Sequence, residues 1–157
     1  MITSDVIALS ALLLSVFSMI GSAIVYISGL RRERRTATLN AFNVLQEQVL
    51  DHLNLYTRKR VEEISASPRS EEYKLLSGYL ARLENFAFGI NTGIYDVQVV
   101  KRLAGWYLCG LQDKIDPLIQ KKRQLNRTAK HYDELEAMLN QMRRSEEHTS
   151  ELQSHVM

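Results

Sequence analysis

The stretch that decides the fold reads Val6-Ile-Ala-Leu-Ser-Ala-Leu-Leu-Leu-Ser-Val-Phe-Ser-Met-Ile-Gly-Ser-Ala-Ile-Val-Tyr-Ile-Ser-Gly-Leu30, and Arg31-Arg-Glu-Arg-Arg35 follows it directly. The first stretch holds 25 residues without a charged side chain. A helix of that length measures about 38 Å, which is enough to cross a hydrocarbon core of roughly 30 Å. The sequence therefore predicts a transmembrane helix over residues 6–30.

The basic edge after this helix predicts its orientation. Residues 31–35 contain four arginines, namely Arg31, Arg32, Arg34 and Arg35, and no lysine or arginine precedes them. A cleaved signal peptide would need a basic segment before a shorter apolar stretch, so we interpret the helix as an uncleaved anchor. By the positive-inside rule we expect the N-terminus outside the membrane, the following domain in the cytoplasm, and the arginines against anionic headgroups.

Small residues recur along one face of the predicted membrane helix at intervals of three or four: Ala11, Ser15, Ser18 and Ser22. Such stripes let two membrane helices approach closely, so a homo-oligomer formed through this helix is one expectation. The alternative is that the small residues simply face lipid.

Residues 36–143 are expected to form a cytoplasmic helical domain, because apolar residues recur there every three or four positions and no long stretch alternates with period two. The predicted fold class is all-α, with one transmembrane helix continuing into a small bundle that contains an antiparallel helical hairpin. Residues 31–143 carry 19 basic and 14 acidic residues, and the basic edge supplies three of the five net charges. Nucleic acid is therefore not an expected partner, and we expect the run Lys121-Lys-Arg123 to be a solvated face.

Capping residues predict where the helices of the domain begin and end. Ser67 is expected to be an N-cap with Pro68 at the first helical position. Gly93 suits a left-handed C-cap, and Asp96 suits the N-cap of the next helix. Pro117 is expected to interrupt or restart that helix.

The short connection at Gly93 predicts antiparallel packing of the helices on either side, with Glu84 level with Arg102 as an inter-helix pair. In the second of these helices, Leu103, Trp106 and Tyr107 stand at helical spacing, and we expect them to belong to the core rather than to a ligand surface.

The last residues are left out of the functional interpretation. Arg144-Ser-Glu-Glu-His-Thr-Ser-Glu-Leu-Gln-Ser-His155 resembles the codon-by-codon translation of a common short-read sequencing adapter. We therefore expect residues 144–157 to be an artefactual tail.

The segment Leu83-Glu-Asn-Phe-Ala-Phe-Gly-Ile-Asn-Thr-Gly-Ile-Tyr-Asp96 resembles the centre of the domain of unknown function 4760 family, a group of small bacterial and phage proteins. The positions that match the family pattern are Glu84, Gly89, Ile90, Gly93, Ile94, Tyr95 and Asp96. Asn85 stands where the family usually has an aromatic residue, and Val97 where an acidic residue is common. The resemblance implies one membrane helix, a basic edge and a helical domain at the inner face of a bacterial membrane, and it implies no activity.

Residues that could carry chemistry are few. Glu84, Asn91 and Asp96 could line a small polar site at the hairpin tip, although we favour the interpretation that they build the turn and its caps. Cys109 is the only cysteine, and the histidines of the domain show no ligand spacing. With no Gly-rich phosphate loop and no nucleophile triad, we expect no metal, no cofactor and no catalytic residue, and a protein that is not an enzyme.

The leading hypothesis from the sequence is therefore an interaction or regulatory module, anchored at the inner face of a bacterial membrane, with a protein partner of unknown identity. One alternative is an oligomerising membrane effector, in defence or phage biology, that perturbs the bilayer. A second alternative is an enzyme with a polar site near the hairpin tip.

The small-residue stripe yields a test of helix association. Replacing Ser15, Ser18 and Ser22 by Leu should keep two helices apart and weaken the signal of a membrane two-hybrid reporter, because close approach needs small side chains. An unchanged signal would remove the hypothesis of pairing through this face.

Overall fold

A computed structural model describes the backbone of residues 2–127 and 130–154, and the side chains of Leu9 and of residues 12–127 and 130–144. Over these ranges every regular element is a helix, which confirms the predicted all-α fold class. The chain divides into two compact units, residues 1–36 and 37–157.

The first unit consists of the first part of helix α1, which spans Ile2–Leu45. Its large apolar side chains are exposed, as shown by Leu14 at 74% and Phe17 at 70% exposure. An 18-residue window in this part of the chain has a mean hydropathy of 1.9, and none of the window is buried. The helix is therefore long and apolar enough to span a membrane.

The second unit is a helical bundle in which α6 packs against both α4 and α5, and α3 packs against α5. After α1, its elements are a π-helical turn at Gln46–Leu50, then α2 at Asp51–Asn54, α3 at Arg58–Ser65, α4 at Glu71–Asn91, α5 at Val97–Asn126 and α6 at Asp133–Ser154. Leucine and methionine side chains from α4, α5 and α6 fill the centre, and Leu80, Leu108 and Leu139 are completely buried. Each such side chain stabilises the bundle by roughly 1.5–3 kcal/mol.

An antiparallel helical hairpin is formed by α5 and α6. The predicted hairpin at Gly93 is wrong, because α4 and α5 each pack against α6 rather than against each other. Arg123 near the end of α5 pairs with Glu136 at the start of α6 through two hydrogen bonds of 2.9 Å. Further from the turn, Arg143 donates to the Gln112 side chain at 2.9 Å. The Arg123 guanidinium also donates to the His131 carbonyl at 3.0 Å, which ties the connecting turn to α5. The expectation of a fully solvated basic face is therefore wrong for Arg123, whose side chain is only 18% exposed.

The start of α4 differs from the sequence prediction. The predicted cap at Ser67 with Pro68 as first helical residue is wrong, because α4 begins at Glu71 and the Ser70 side chain accepts from the Tyr73 N–H. Pro68 instead follows Ser67 in a turn that the Ser70 N–H closes on the Ser67 carbonyl at 3.0 Å. Proline suits this turn position because its φ is already fixed near the required value.

Helix α5 also differs from its prediction. Pro117 lies inside the helix and does not end it. The residues around it, such as Ile115 and Leu118, are buried, and their packing offsets the one backbone hydrogen bond that proline cannot make. The irregularity lies instead at Ala104, whose φ is −149°.

The predicted core face of α5 is wrong for two residues. Trp106 is 76% exposed and Leu103 is 47% exposed, whereas Val100 and Leu108 are completely buried. Tyr107 is half-buried and packs against the edge of the core. Helix α5 thus turns a different apolar stripe towards the core and leaves the tryptophan exposed.

Candidate functional site

Residues 89–96, which we call the motif turn, comprise the end of α4 and its connection to α5. Their conformation depends on two glycines. Gly93 has a φ of 78°, the left-handed conformation that the sequence predicted for it. The Tyr95 N–H donates to the Gly89 carbonyl at 2.9 Å. The Tyr95 ring lies so close to Gly89 that a Cβ at that position would collide with it, and the ring also stacks on Phe86 at a centroid distance of 5.3 Å. Only glycine fits at position 89, because the Tyr95 ring occupies the space that any other side chain would need.

Asp96 holds the end of this turn in two directions. Its carboxylate accepts from the Gln98 N–H at 2.9 Å, which confirms Asp96 as the predicted N-cap of α5. Its own N–H donates to the Thr38 hydroxyl oxygen at 2.8 Å. Thr38 lies in α1 and is completely buried. The sequence reasoning missed Thr38, because a single threonine in a helical stretch shows no pattern that points to a partner 58 positions away.

Glu84 and Asn91 converge on the first turn of α6. The Glu84 carboxylate accepts from the Leu135 N–H at 2.8 Å and from the Glu134 N–H at 3.3 Å. The Asn91 amide donates to the Glu134 carbonyl at 2.9 Å. The predicted pair between Glu84 and Arg102 is wrong, because the Glu84 carboxylate points at α6.

This contact replaces a local N-cap that α6 does not have. The residue before the helix is Tyr132, whose φ of 68° is left-handed and whose side chain is not of the capping type. The first N–H groups of a helix have no partner inside the helix and need an acceptor when they are buried. Glu84 provides that acceptor from α4.

The environment of Glu84 opposes its negative charge on balance. Burial raises the pKa of Glu84 and is the largest influence on it. The two backbone N–H donors lower the pKa, while the nearby carboxylates of Glu134 and Asp133 raise it.

The three polar residues of the motif therefore do not meet in one place. Glu84 and Asn91 bind α6, whereas Asp96 binds α5 and Thr38. Both carboxylates already accept backbone N–H groups, so the arrangement joins four helices, α4 to α6 and α5 to α1, rather than presenting a free acid and base. Among the described residues, no group of His, Cys, Asp and Glu could hold a metal ion.

One groove of the second unit, which we call the amide groove, lies between the end of α1, the π-helical turn and α4. Its volume is about 600 Å³, and its polar rim consists of Asn40, Gln48, Arg82 and Asn85. The sequence reasoning did not identify it. Asn40 and Gln48 stand eight residues apart, at a spacing that places both on one helix face, and this was the available signal.

The second exposed feature, which we call the Trp106 face, consists of Asn54, Leu103, Trp106 and Tyr107 around a shallow pocket. Leu55, the next residue along the chain from Asn54, is 80% exposed. Trp106 and Tyr107 meet edge to face at 6.1 Å, and the Tyr107 hydroxyl donates to the Leu50 carbonyl at 3.3 Å.

The residues predicted for the membrane edge and for helix association lie on α1. The edge arginines Arg31, Arg32, Arg34 and Arg35 are exposed. Ser15, Ser18 and Ser22 are exposed as well, and the Ser22 hydroxyl donates to the Ser18 carbonyl at 2.9 Å. The side chain of Ala11 lies outside the described residues. The same holds for the side chains of residues 145–157, which form nearly all of the predicted artefactual tail.

Comparison with known families shows a match over residues 6–142 to the family described as Domain of unknown function (DUF4760). The chain belongs to the DUF4760 family. This confirms the family predicted from the residues between Leu83 and Asp96. No curated protein and no solved structure matches the chain. The motif turn and its contacts with α6 lie inside the matched range, so they are part of the DUF4760 domain.

The contact between Glu84 and α6 yields a stability prediction. Replacing Glu84 by Ala should lower the free energy of unfolding by about 1–2 kcal/mol, because two N–H groups at the start of α6 lose their acceptor. Thermal unfolding of the full chain in detergent, followed by circular dichroism, measures this effect. Glu62→Ala is the matched control, since the Glu62 side chain is exposed and has no partner among the described residues. An equal loss in both variants would contradict the capping role.

The raised pKa of Glu84 adds a pH dependence to the same experiment. A carboxyl group whose pKa is higher in the folded than in the unfolded state binds its proton more tightly when folded, so its contribution to stability falls as the pH rises from about 4.5 through the folded pKa. Gln at this position keeps an acceptor and does not titrate. The stability of the wild type relative to Glu84→Gln should therefore decrease from pH 4 towards pH 7, and a constant or increasing difference would show that the carboxyl group is not shifted upwards.

Proposed function

We propose that this DUF4760 protein is a membrane-anchored interaction module, which holds its helical domain at the cytoplasmic face of a bacterial membrane for a protein partner. The single observation that carries the proposal is the Trp106 face. Trp106 is 76% exposed beside Leu103 at 47%, and Leu55, which follows Asn54 of the same face, is 80% exposed. This face therefore presents a large aromatic side chain together with aliphatic side chains to solvent, as interaction sites do.

The membrane location is supported by the exposed apolar part of α1 and by the arginines that follow it. Lipid would cover the apolar side chains between Leu12 and Leu30, and the edge from Arg31 to Arg35 would lie among the headgroups of the cytoplasmic leaflet. The proposed orientation is supported by the four arginines that directly follow this helix, since basic residues favour the cytoplasmic side.

The chemistry of the Trp106 face suits a protein partner. Tryptophan and tyrosine dominate binding energy at protein interfaces, because each covers a large area and loses little side-chain entropy. Tyr107 is held in place by its bond to the Leu50 carbonyl, so the pocket beside Trp106 has one rigid wall. The motif carboxylates, in contrast, are engaged in helix capping, which favours binding over catalysis as the role of this domain.

Cysteine labelling tests the orientation. Cys109 is the only cysteine, so a Cys109→Ser background can carry a single new cysteine at Ser4 or at Ser67, the latter exposed between α3 and α4. A membrane-impermeant maleimide should label Ser4→Cys in intact cells and Ser67→Cys only after permeabilisation. The reverse pattern would overturn the proposed orientation.

Photocrosslinking tests the interaction. The photoreactive residue p-benzoylphenylalanine at Leu103 should give a discrete crosslinked product in native membranes. Trp106→Ala should weaken that product, because losing a tryptophan at the centre of an interface costs about 2 kcal/mol or more, roughly a thirtyfold loss of affinity. Trp106 is exposed, so its replacement should leave the fold intact.

The control for this experiment uses the same helix. Leu125 lies in α5 and is 50% exposed, against 47% for Leu103, but it is not part of the Trp106 face. The same label at Leu125 should give no such product. Identical products from both positions, or a product that persists unchanged in Trp106→Ala, would contradict the proposed partner surface.

A further inference from the structure

The amide groove differs from the Trp106 face in its charge. Its rim contains the carboxamides of Asn40, Gln48 and Asn85 and the guanidinium of Arg82, and no aspartate or glutamate lines it. Carboxamides can both donate and accept hydrogen bonds, so they suit a polar ligand of either kind. The guanidinium, which only donates, gives the rim a net positive charge.

No carboxylate in the part of the chain that the structure describes forms an ion pair with Arg82. Among the described side chains its partner is the neutral Gln48 carboxamide, whose oxygen accepts from a guanidinium nitrogen at 2.8 Å. That bond orients the guanidinium at the groove and leaves other donors of its planar fork available. Arginine of this kind recognises carboxylate and phosphate groups through paired hydrogen bonds.

Below this rim the groove is apolar. Leu45, Val49 and Phe86 contribute to the lining and are almost completely buried, while Val44 is 52% exposed and lies at the surface of the groove. A volume of about 600 Å³ falls in the range of sites for small organic molecules. The groove therefore combines an apolar floor with one uncompensated positive charge.

The backbone beside the groove is also unusual. Gln48 and Val49 belong to the π-helical turn, in which the Asp51 N–H donates to the Gln46 carbonyl five residues earlier. This wider turn inserts an extra residue into the helix and changes which side chains face α4. Such turns are rare within α-helices and are frequent at functional sites.

We infer that the amide groove binds a small organic anion, whose carboxylate or phosphate pairs with Arg82 and whose apolar part lies on Leu45, Val49 and Phe86. This inference goes beyond the proposed function, because the groove and the Trp106 face are separate surfaces with different residues. The bound anion replaces the carboxylate that Arg82 lacks.

The test uses the full chain in phosphatidylcholine nanodiscs and 1-anilinonaphthalene-8-sulfonate, a fluorescent anion with an apolar body, with empty nanodiscs as the blank. Arg82→Gln keeps a polar side chain and removes the charge, and it should lower the affinity at least about tenfold, as expected for the loss of a charge-assisted hydrogen bond. Val44→Asp places a carboxylate at the groove and should also reduce binding. Both positions are exposed, so neither change should disturb the fold.

Arg102→Gln is the matched control, because Arg102 is an exposed cation of α5 outside the groove with no partner among the described residues. It should bind the probe as the wild type does. Equal affinities in the wild type, Arg82→Gln and Val44→Asp would overturn the inference. The uncharged analogue N-phenyl-1-naphthylamine tests the requirement for an anion. If it binds as tightly as the sulfonate probe, and equally well to the wild type and to Arg82→Gln, that requirement is overturned.

The same assay distinguishes two sources of the anion. The difference in probe signal between the wild type and Arg82→Gln reports occupancy of the groove. If adenosine monophosphate removes this difference in phosphatidylcholine nanodiscs, the ligand is a soluble anion. If phosphatidylglycerol in the nanodisc removes it, the ligand is a lipid headgroup.

Discussion

The bond between the Glu84 carboxylate and the first turn of α6 is the interaction on which the bundle depends. Helix α6 packs against both α4 and α5, so its position determines how the other two are arranged. Its start follows a left-handed Tyr132 and has no local cap. A carboxylate from α4 satisfies two of the N–H groups that the helix leaves open, and it does so where burial makes an unsatisfied donor costly, about 1–3 kcal/mol. The start of α6 is thereby fixed on the face of α4.

The motif residues near this bond hold two helix contacts, one between α4 and α6 and one between α5 and α1. Glu84 and Asn91 attach α4 to α6, and Asp96 attaches α5 to the buried Thr38 of α1. Gly89 and Gly93 allow the short turn that connects the two junctions, one by making room for the Tyr95 ring and the other by adopting a left-handed conformation. Backbone geometry and helix capping therefore explain Glu84, Gly89, Gly93 and Asp96, four of the positions that match the family motif.

The sequence predicted those features whose conformation depends on a residue and its immediate neighbours in the chain. The long uncharged run predicted an apolar helix, Gly93 predicted a left-handed residue, and Asp96 predicted a cap, because in each case the residue and its immediate neighbours determine the conformation. The burial of α5 could not be predicted in the same way. Leu103 and Trp106 stand at helical spacing, but so do Val100, Ala104 and Leu108, and only the positions of the helices packed against α5, among them α3 and α6, decide which stripe is covered.

The partner of Glu84 and the amide groove were missed for a related reason. The carboxylate of Glu84 binds backbone atoms 50 and 51 positions away, and backbone donors are the same at every residue, so no side-chain pattern marks them. The groove arises where α1 and the π-helical turn pass α4, and a π-helical turn has no reliable signature in composition or periodicity. Its rim residues Gln48 and Arg82 are 34 positions apart and resemble any other polar surface residues in the sequence.

Glu84 and Arg82 differ in what the fold would lose if each bound a ligand. To act as a base, Glu84 would have to release the Leu135 N–H and leave a donor without an acceptor, which works against the fold by about 1–3 kcal/mol. Arg82 can bind a ligand at no such cost, because its present partner is a neutral amide and its charge is not compensated by a carboxylate. An exposed tryptophan likewise binds without breaking any bond inside the bundle. A ligand or partner can therefore bind at the amide groove or at the Trp106 face without breaking the bonds that hold the helices of the bundle together.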